Sequence, residues 1–336
     1  SGSSIIFVVI RYAQEDIMRF KSIFVCPRYP EKLKRLYMLA CNLWCTWDYD
    51  AVNLFYRIDT PLFREVNHNP LRFLHSLSKK RLDALAEDDG FLFEFEKVWD
   101  KFQHYLKFAG TFKDECSGKC DVGEEDTIAY FSMEFGLHEC IPIYAGGLGV
   151  LSGDFLKGAS DLGLPVVGIG LLYKHGYFTQ HIDHNGYQQE VFTRFENHPI
   201  PIRELHDADG NCAHVNVPVL GEDVKVKLWN IDVGKARLIL LDTNLEDNPP
   251  HLRDITSELY ISDTNNRLQQ ELILGIGGIR ALELMGIAPK IYHFNEGHSA
   301  LAVIGRLQMF MKDKKFSFSE ATALIRASTV FTTHTP

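Results

Sequence analysis

No run of about 20 consecutive apolar residues occurs in the 336-residue chain, so no ordinary membrane-spanning helix is expected. The apolar stretch Ile5 to Ile10 (IIFVVI) is too short for a secretory signal and has no basic lead; the Ser-Gly-Ser-Ser before it reads as an expression scar or a frayed terminus. A basic block is also missing. The 35 basic and 44 acidic residues leave a formal charge of −9, which makes nucleic acid a poor partner. A small neutral or anionic ligand, held by local geometry, remains compatible with that charge. Cysteines are few and odd in number, seven in all, and read as free thiols of a reducing cytoplasm. Neither phosphate-binding pattern, GxxxxGKS/T or GxGxxG, is present, which removes the P-loop and dinucleotide-fold readings.

What is present divides by texture. At 46% hydrophobic residues, and with about 150 residues per domain as a guide, the chain can build two units. Residues 1–110 are expected to be mainly helical. In YPEKLKRLYMLACNLWCTW the apolar Leu33, Leu36, Ala40, Leu43, Trp44 and Trp47 recur at three and four, the spacing of one helix face. Two further segments repeat this, split by Asn-Pro and Asp-Gly breakers. Residues 111–126 (TFKDECSGKCDVGEED) have no periodicity and read as a linker. From 127 to 336 the pattern becomes strand, glycine turn, helix, strand, the opening of a doubly wound α/β domain. TIAYFSM, LPVVGIGLLY, HVNVPVL, VKVKLWNID, ARLILLD, KIYHF and STVFTTH are its expected strands, the middle three partly antiparallel. The chain stops directly after the last of them, which predicts a truncated protein with an apolar face left exposed.

Chemistry is expected where strands end. Gly146-Gly147-Leu148-Gly149 opens a helix, and glycines there let backbone N–H groups approach an anion at the positive end of the helix dipole. The bland alternative is a tight strand-to-helix turn with no ligand. Asn295, Glu296 and His298 lie just past KIYHF, Glu134 just past TIAYF and His334 at the end of the last strand, all positions that line the crevice of an open α/β sheet. A helix cap is the competing reading for Asn295. Glycines 275–278 (GIGG) sit within a helical pattern and read as close helix packing. Cys41 and Cys45, Cys116 and Cys120, and His181 and His184 have near-ligand spacings, but buried or idle thiols and a solvated loop explain them better, and no metal is expected. Trp44, Trp47, Phe55 and Tyr56 are read as helical core rather than a sugar platform.

Several long segments resemble one family. IAYFSMEFGLHECIPIYAGGLGVLSGDFLKGASDLGLPVVGIGLLYKHGYFTQ, RLQQELILGIGGIRALELMGIAPKIYHFNEGHSAL and FTTHTP, in that order, are similar to the shorter bacterial and archaeal branch of the α-glucan (glycogen/maltodextrin) phosphorylases. The region around LACNLWCTW resembles the helical N-terminal extension of that branch. The resemblance implies the N-terminal part of a GT-B glycosyltransferase, with the second GT-B domain absent. It implies phosphorolysis of α-1,4-glucan or maltodextrin by inorganic phosphate to glucose 1-phosphate, with retention, in the cytoplasm and with pyridoxal phosphate as cofactor. By position, the Gly147 N–H would face phosphate and the Leu148 N–H the terminal glucosyl unit. His334 would contact that glucose, and Glu134, Asn295, Glu296 and His298 would line the cleft. Gly136, and Glu296-Gly297 before His298, depart from the long animal-type enzymes. The Schiff-base lysine would lie outside this chain, which alone should not turn over. The rivals are a nucleotide-sugar-dependent glycogen synthase and a non-catalytic glucan-binding fragment. Homo-oligomer formation is left open.

Overall fold

The computed structural model describes residues 29–108, 110–112, 126–191, 199–207, 209–260, 263–313 and 315–334, with two short paired strands, β1 (Ile10–Tyr12) and β2 (Lys21–Ile23). Most of the expected linker, together with Cys116, Cys120 and Thr335-Pro336, lies outside the described residues.

Residues 29–108 are helical: α1 (Lys34–Ala40), α2 (Tyr49–Ile58), α3 (Thr60–Glu65), α4 (Pro70–Ser76), α5 (Lys79–Ala86) and α6 (Asp89–Lys107). Their apolar faces meet in one core that includes Leu36, Trp44, Phe55, Phe73, Phe91 and Phe95. The continuous face read over 33–47 is broken at Asn42. That residue leaves the helical region of backbone space, and its Oδ1 accepts from Trp44 N (2.9 Å) to start a short 3₁₀ turn. The same amide closes a pair of hydrogen bonds with Gly234 of the sheet, both 2.9 Å. Periodicity gives way there to a tie between the helical and α/β parts. Trp47 packs against the cores of both.

The second core is a parallel-rich mixed sheet. Its strands run in the order β12 (Thr329–Thr332), β11 (Ile291–Asn295), β3 (Ile128–Phe131), β4 (Val166–Leu171), β10 (Ala236–Asp242), β9 (Glu222–Val233) and β7 (Arg203–Glu204), with β8 (His214–Val219) also on β9. The first five are parallel, and β7, β8 and β10 pair antiparallel with β9. A separate hairpin, β5 (Thr179–Ile182) and β6 (Gln188–Val191), carries His181 and, at its turn, His184, both exposed.

Every residue of β4 is buried because helices cover both faces, and successive strand residues point to opposite sides. Gly168 packs under Leu156 of α7 (Gly147–Leu162), whereas Ile169 faces Gly278 of the helical stretch 264–284. That stretch consists of α8 (Thr264–Leu272), a π-helical turn (Ile273–Gly277) and α9 (Gly278–Leu284). A Cβ on Gly275 would fall 2.5 Å from the amide of Ala302, the first residue of α10 (Ala302–Gln308), and one on Gly278 2.5 Å from Phe131. The glycines of this run are there for close packing. A last helix, α11 (Phe318–Ala327), leads into β12.

The chain winds from β3 through β4 to β10 and then crosses back to β11 and β12 on the other side of β3. Strand order therefore reverses between β3 and β11, and it is beyond the carboxyl ends at such a reversal that open α/β sheets take their ligands.

Candidate functional site

Helix α7 starts beside that reversal and has no side-chain cap on Gly146. Among the described residues, the Gly147 and Leu148 N–H groups have no partner, as expected of the first turn of a helix. Gly146 and Gly147 are exposed, and a Cβ built on either would meet nothing within 4 Å. Neither protein contact nor an unusual φ at Gly146 (−155°) demands glycine there. What the missing side chains leave is open space over two free donors. Gly149 is different: a Cβ would lie 2.5 Å from Tyr144 Cβ and 2.7 Å from Glu134 Oε2.

Glu134, 2% exposed, holds this turn from beneath. Its Oε2 accepts from Ala145 N (2.7 Å) and Gly146 N (3.3 Å), and its Oε1 accepts a short hydrogen bond from the Tyr260 hydroxyl. Burial, and then that carboxylate, push the Tyr260 pKa upward, so the phenol stays a neutral donor. All three donors converge on one buried charge, which makes Glu134 a clamp on the loop before α7. Gly136 N, donating to Gly149 O at 2.7 Å, ties the same loop to the helix's first turn.

Asn295, 1% exposed at the end of β11, links the turn to His334. Its Nδ2 donates to Ser132 Oγ (3.3 Å) and Ser152 Oγ (3.0 Å), and Ser152 Oγ donates to Leu148 O (2.9 Å). Its Oδ1 accepts from His334 Nε2 at 2.8 Å. This fixes the histidine tautomer and leaves Nδ1 and the backbone carbonyl of His334 without a partner among the described residues. Glu296 sits at φ 68°, ψ 171°, a region nearly reserved for glycine, and the strain is held by its surroundings. Its carboxylate accepts from Gly297 N (3.2 Å) and from His334 N, and its own N–H donates to Thr332 O at 2.8 Å.

His298 lies two residues past Glu296. Arg267 of α8 donates to its Nε2 at 2.8 Å, and burial, followed by the Arg267 charge, holds its pKa below the ordinary value. The ring is thus neutral with its proton on Nδ1, a buried atom with no hydrogen-bond partner among the described residues. The Tyr260 and His298 rings lie 6.0 Å apart.

The structure therefore brings Glu134, Gly146, Gly147, Leu148, Gly149, Asn295, Glu296, His298 and His334 to one crevice. It adds Tyr260, Arg267, Ser132 and Ser152, which sequence reasoning missed. The two serines lie inside the first quoted segment, at YFSMEF and GVLSGD, and were within reach of it. Arg267 opens the quoted segment RLQQELILGIGG but reads there as an ordinary polar helix turn, and Tyr260 lies in an irregular segment at φ 58°, so neither stood out as a site residue. Among the described residues, the hydrogen-bonded lining presents two free backbone donors at the turn with polar side chains beside them, and no metal-ligand cluster lies in it. Cys41 and Cys45 are free, with burial raising both thiol pKa values.

Residues 142–218 match the carbohydrate phosphorylase family model, and residues 29–141 match a model described only as a protein of unknown function, DUF3417. The chain is 40% identical over 307 residues to maltodextrin phosphorylase of Thermococcus litoralis, covering 91% of this chain and 36% of that protein. It is 38% identical over 315 residues to glycogen phosphorylase of Mycobacterium tuberculosis, again covering 91% and 36%. With glycogen phosphorylase of Aquifex aeolicus it shares 36% identity over 307 residues, covering 91% and 43%. The chain is therefore a relative of the glycogen and maltodextrin phosphorylases, matching them over 91% of its own length while spanning 36–43% of theirs.

Proposed function

We propose that the chain is the glucan- and phosphate-facing part of an α-glucan phosphorylase, which splits α-1,4-glucans with inorganic phosphate to glucose 1-phosphate with retained configuration. Its α/β region is read as the first of two GT-B domains, and its place of work as the cytoplasm. The observation that carries this reading is the glycine turn: two free N–H groups at the start of a 16-residue helix, under space that no protein atom claims.

The Gly147 N–H faces the phosphate, whose charge the helix N-terminus stabilises as a cation-like glycosyl centre develops beside it. The Leu148 N–H faces the terminal glucosyl unit. Glu134 does not touch either ligand; it positions the turn, and Tyr260 keeps that carboxylate fixed. Asn295 orients the His334 ring, leaving the His334 carbonyl and Nδ1 for glucose hydroxyls. His298, neutral and with a buried Nδ1–H to give, is a second hydroxyl partner.

The residues here do not fit pyridoxal phosphate. None of the hydrogen-bonded groups lining the described crevice is a lysine able to take its aldehyde, so the cofactor is assigned to protein outside this chain. Val330 and Phe331 of edge strand β12, about half exposed, suit the docking of a second domain.

The test is glucose 1-phosphate release from maltoheptaose and phosphate, with added pyridoxal phosphate, by the product of the complete reading frame and by this chain. Release by the former, and none by the latter, is expected. Glucose incorporation from a nucleotide sugar without phosphorolysis would replace this reading with a synthase. Saturable maltoheptaose binding that phosphate leaves unchanged, with no turnover, would reduce it to a glucan-binding protein.

A further inference from the structure

At the edge of the sheet opposite β12, β7 runs into an arm, residues 204–207, that pairs with a second arm, residues 209–213. Their backbone is fixed on both sides: Leu205 N bonds Leu228 O (3.0 Å), Ala213 N bonds Leu205 O (2.8 Å), and His206 and Cys212 form an antiparallel bridge. At the tip, Asp207 Oδ1 accepts from Asp209 N (3.0 Å) and Asn211 N (2.9 Å). Strand alternation sends Leu205 and Ala213 into the core. It therefore turns Glu204 and His206 to the other face, and the bridge sets Cys212 directly across from His206. One carboxylate oxygen, one imidazole nitrogen and one sulfur all lie within 4.8 Å of one another. Cys212 Sγ already donates to Glu204 Oε2 at 3.3 Å, and the His206 ring has no hydrogen-bond partner among the described residues.

We propose that Glu204, His206 and Cys212 form a binding site for a thiophilic divalent cation of the zinc type, with water as fourth ligand. Thiolate, imidazole and carboxylate together suit a tetrahedral d¹⁰ ion and do not suit magnesium or calcium, which want oxygen ligands alone. On binding, the thiol proton now shared with Glu204 leaves to solvent and the cation takes its place. Lys227, paired with Glu204 Oε1 and lying 4.3 Å from the Trp229 ring centroid, remains outside the coordination shell and orients the carboxylate. The bound ion cross-links the two arms. No crevice residue takes part, so the proposal stands apart from the phosphorylase reading.

Cobalt(II) titration of the metal-free chain, in a reducing buffer without competing thiols, tests it. One equivalent should give a thiolate-to-cobalt charge-transfer band and strong visible bands of a tetrahedral ion, both abolished by added zinc. Cys212→Ser should remove the charge-transfer band, and His206→Ala should weaken binding by more than the roughly 10–100-fold of an outer-shell change. The double variant Cys116→Ser/Cys120→Ser should keep both features. Cys212 and His206 are exposed, and circular dichroism of each variant checks that folding is intact. No cobalt band in the parent chain, or a band that Cys212→Ser leaves unchanged, would overturn the assignment.

Discussion

The helix at the strand reversal begins differently from most others: α8 and α11 of the same α/β region start on Asp263 and Ser317, whose side chains cap them, as the helices α2 to α6 of the helical region are capped. In the helical region five consecutive helices, α2 to α6, start on Asp48, Asp59, Asn69, Ser78 and Asp88, and each of these side chains accepts from a backbone N–H of its own first turn. In the α/β region the longest single helix, α7, starts on a glycine and has no such partner. A side-chain cap contributes about 1 kcal/mol, so its absence from a 16-residue helix is a cost. That cost is offset at the other end, where Gly163 (φ 75°) closes the helix in the left-handed conformation, and by Glu134, which holds the amides just before the helix. The capped helices are closed by their own chain, whereas α7 at the strand reversal keeps two free backbone donors among the described residues, which the proposed function assigns to phosphate and glucose.

The sharpest way to break this contrast is to close α7 with a fixed charge. Gly147→Asp should lower kcat/KM of the complete enzyme by about 10²–10³-fold, the scale of losing an oxyanion donor. Its thermal midpoint should stay level or rise, because an acidic residue suits a helix N-terminus. Two residues along, Gly149→Ala should do the reverse. Its Cβ collides with Tyr144 and Glu134, so a loss of about 1–3 kcal/mol of stability is expected in denaturant titrations.

Protonation probes the seam between the regions. His138, on a cavity it shares with Tyr56 and His68 of the helical part, has its pKa lowered to about 4, mainly by burial. Its folded value lies below its unfolded value near 6.5, so between the two the unfolded chain binds the additional proton. Stability is therefore level above about pH 6.5 and falls as pH drops toward 4. Burial shifts His75, His293 and His298 in the same direction, which adds to the slope. His138→Gln should lose less thermal stability than the parent between pH 7 and pH 5. The smallest effect is expected at an ordinary cap: Asp88→Ala should cost about 1 kcal/mol and leave activity per folded molecule unchanged.

Much of this architecture was legible in the sequence, for reasons that differ by element. TIAYF, PVVGIGLL and ARLILLD are apolar because their strands are covered on both faces, so composition alone marks them. Glu134, Asn295, Glu296, His298 and His334 could be placed because each lies at or just past the carboxyl end of a strand. Their division of labour could not. A carboxylate that receives ligand and one that clamps a turn look alike until Ala145, Gly146 and Tyr260 are seen to share Glu134. Tyr260 lies 126 positions from Glu134, and no periodicity links them. The break at Asn42 was equally hidden, because the pull of Gly234, 192 positions away, overrides a helical pattern that reads straight through it.

The most direct test observes the two free amides themselves. In the isotope-labelled chain, the Gly147 and Leu148 backbone resonances should shift saturably with inorganic phosphate but not with equal ionic strength of chloride. The Phe91 amide, already bound to Asp88 at the start of α6, should remain still. Gly147 and Leu148 resonances that do not move, or that move no more than Phe91, would contradict the claim that α7 is left open for an anion.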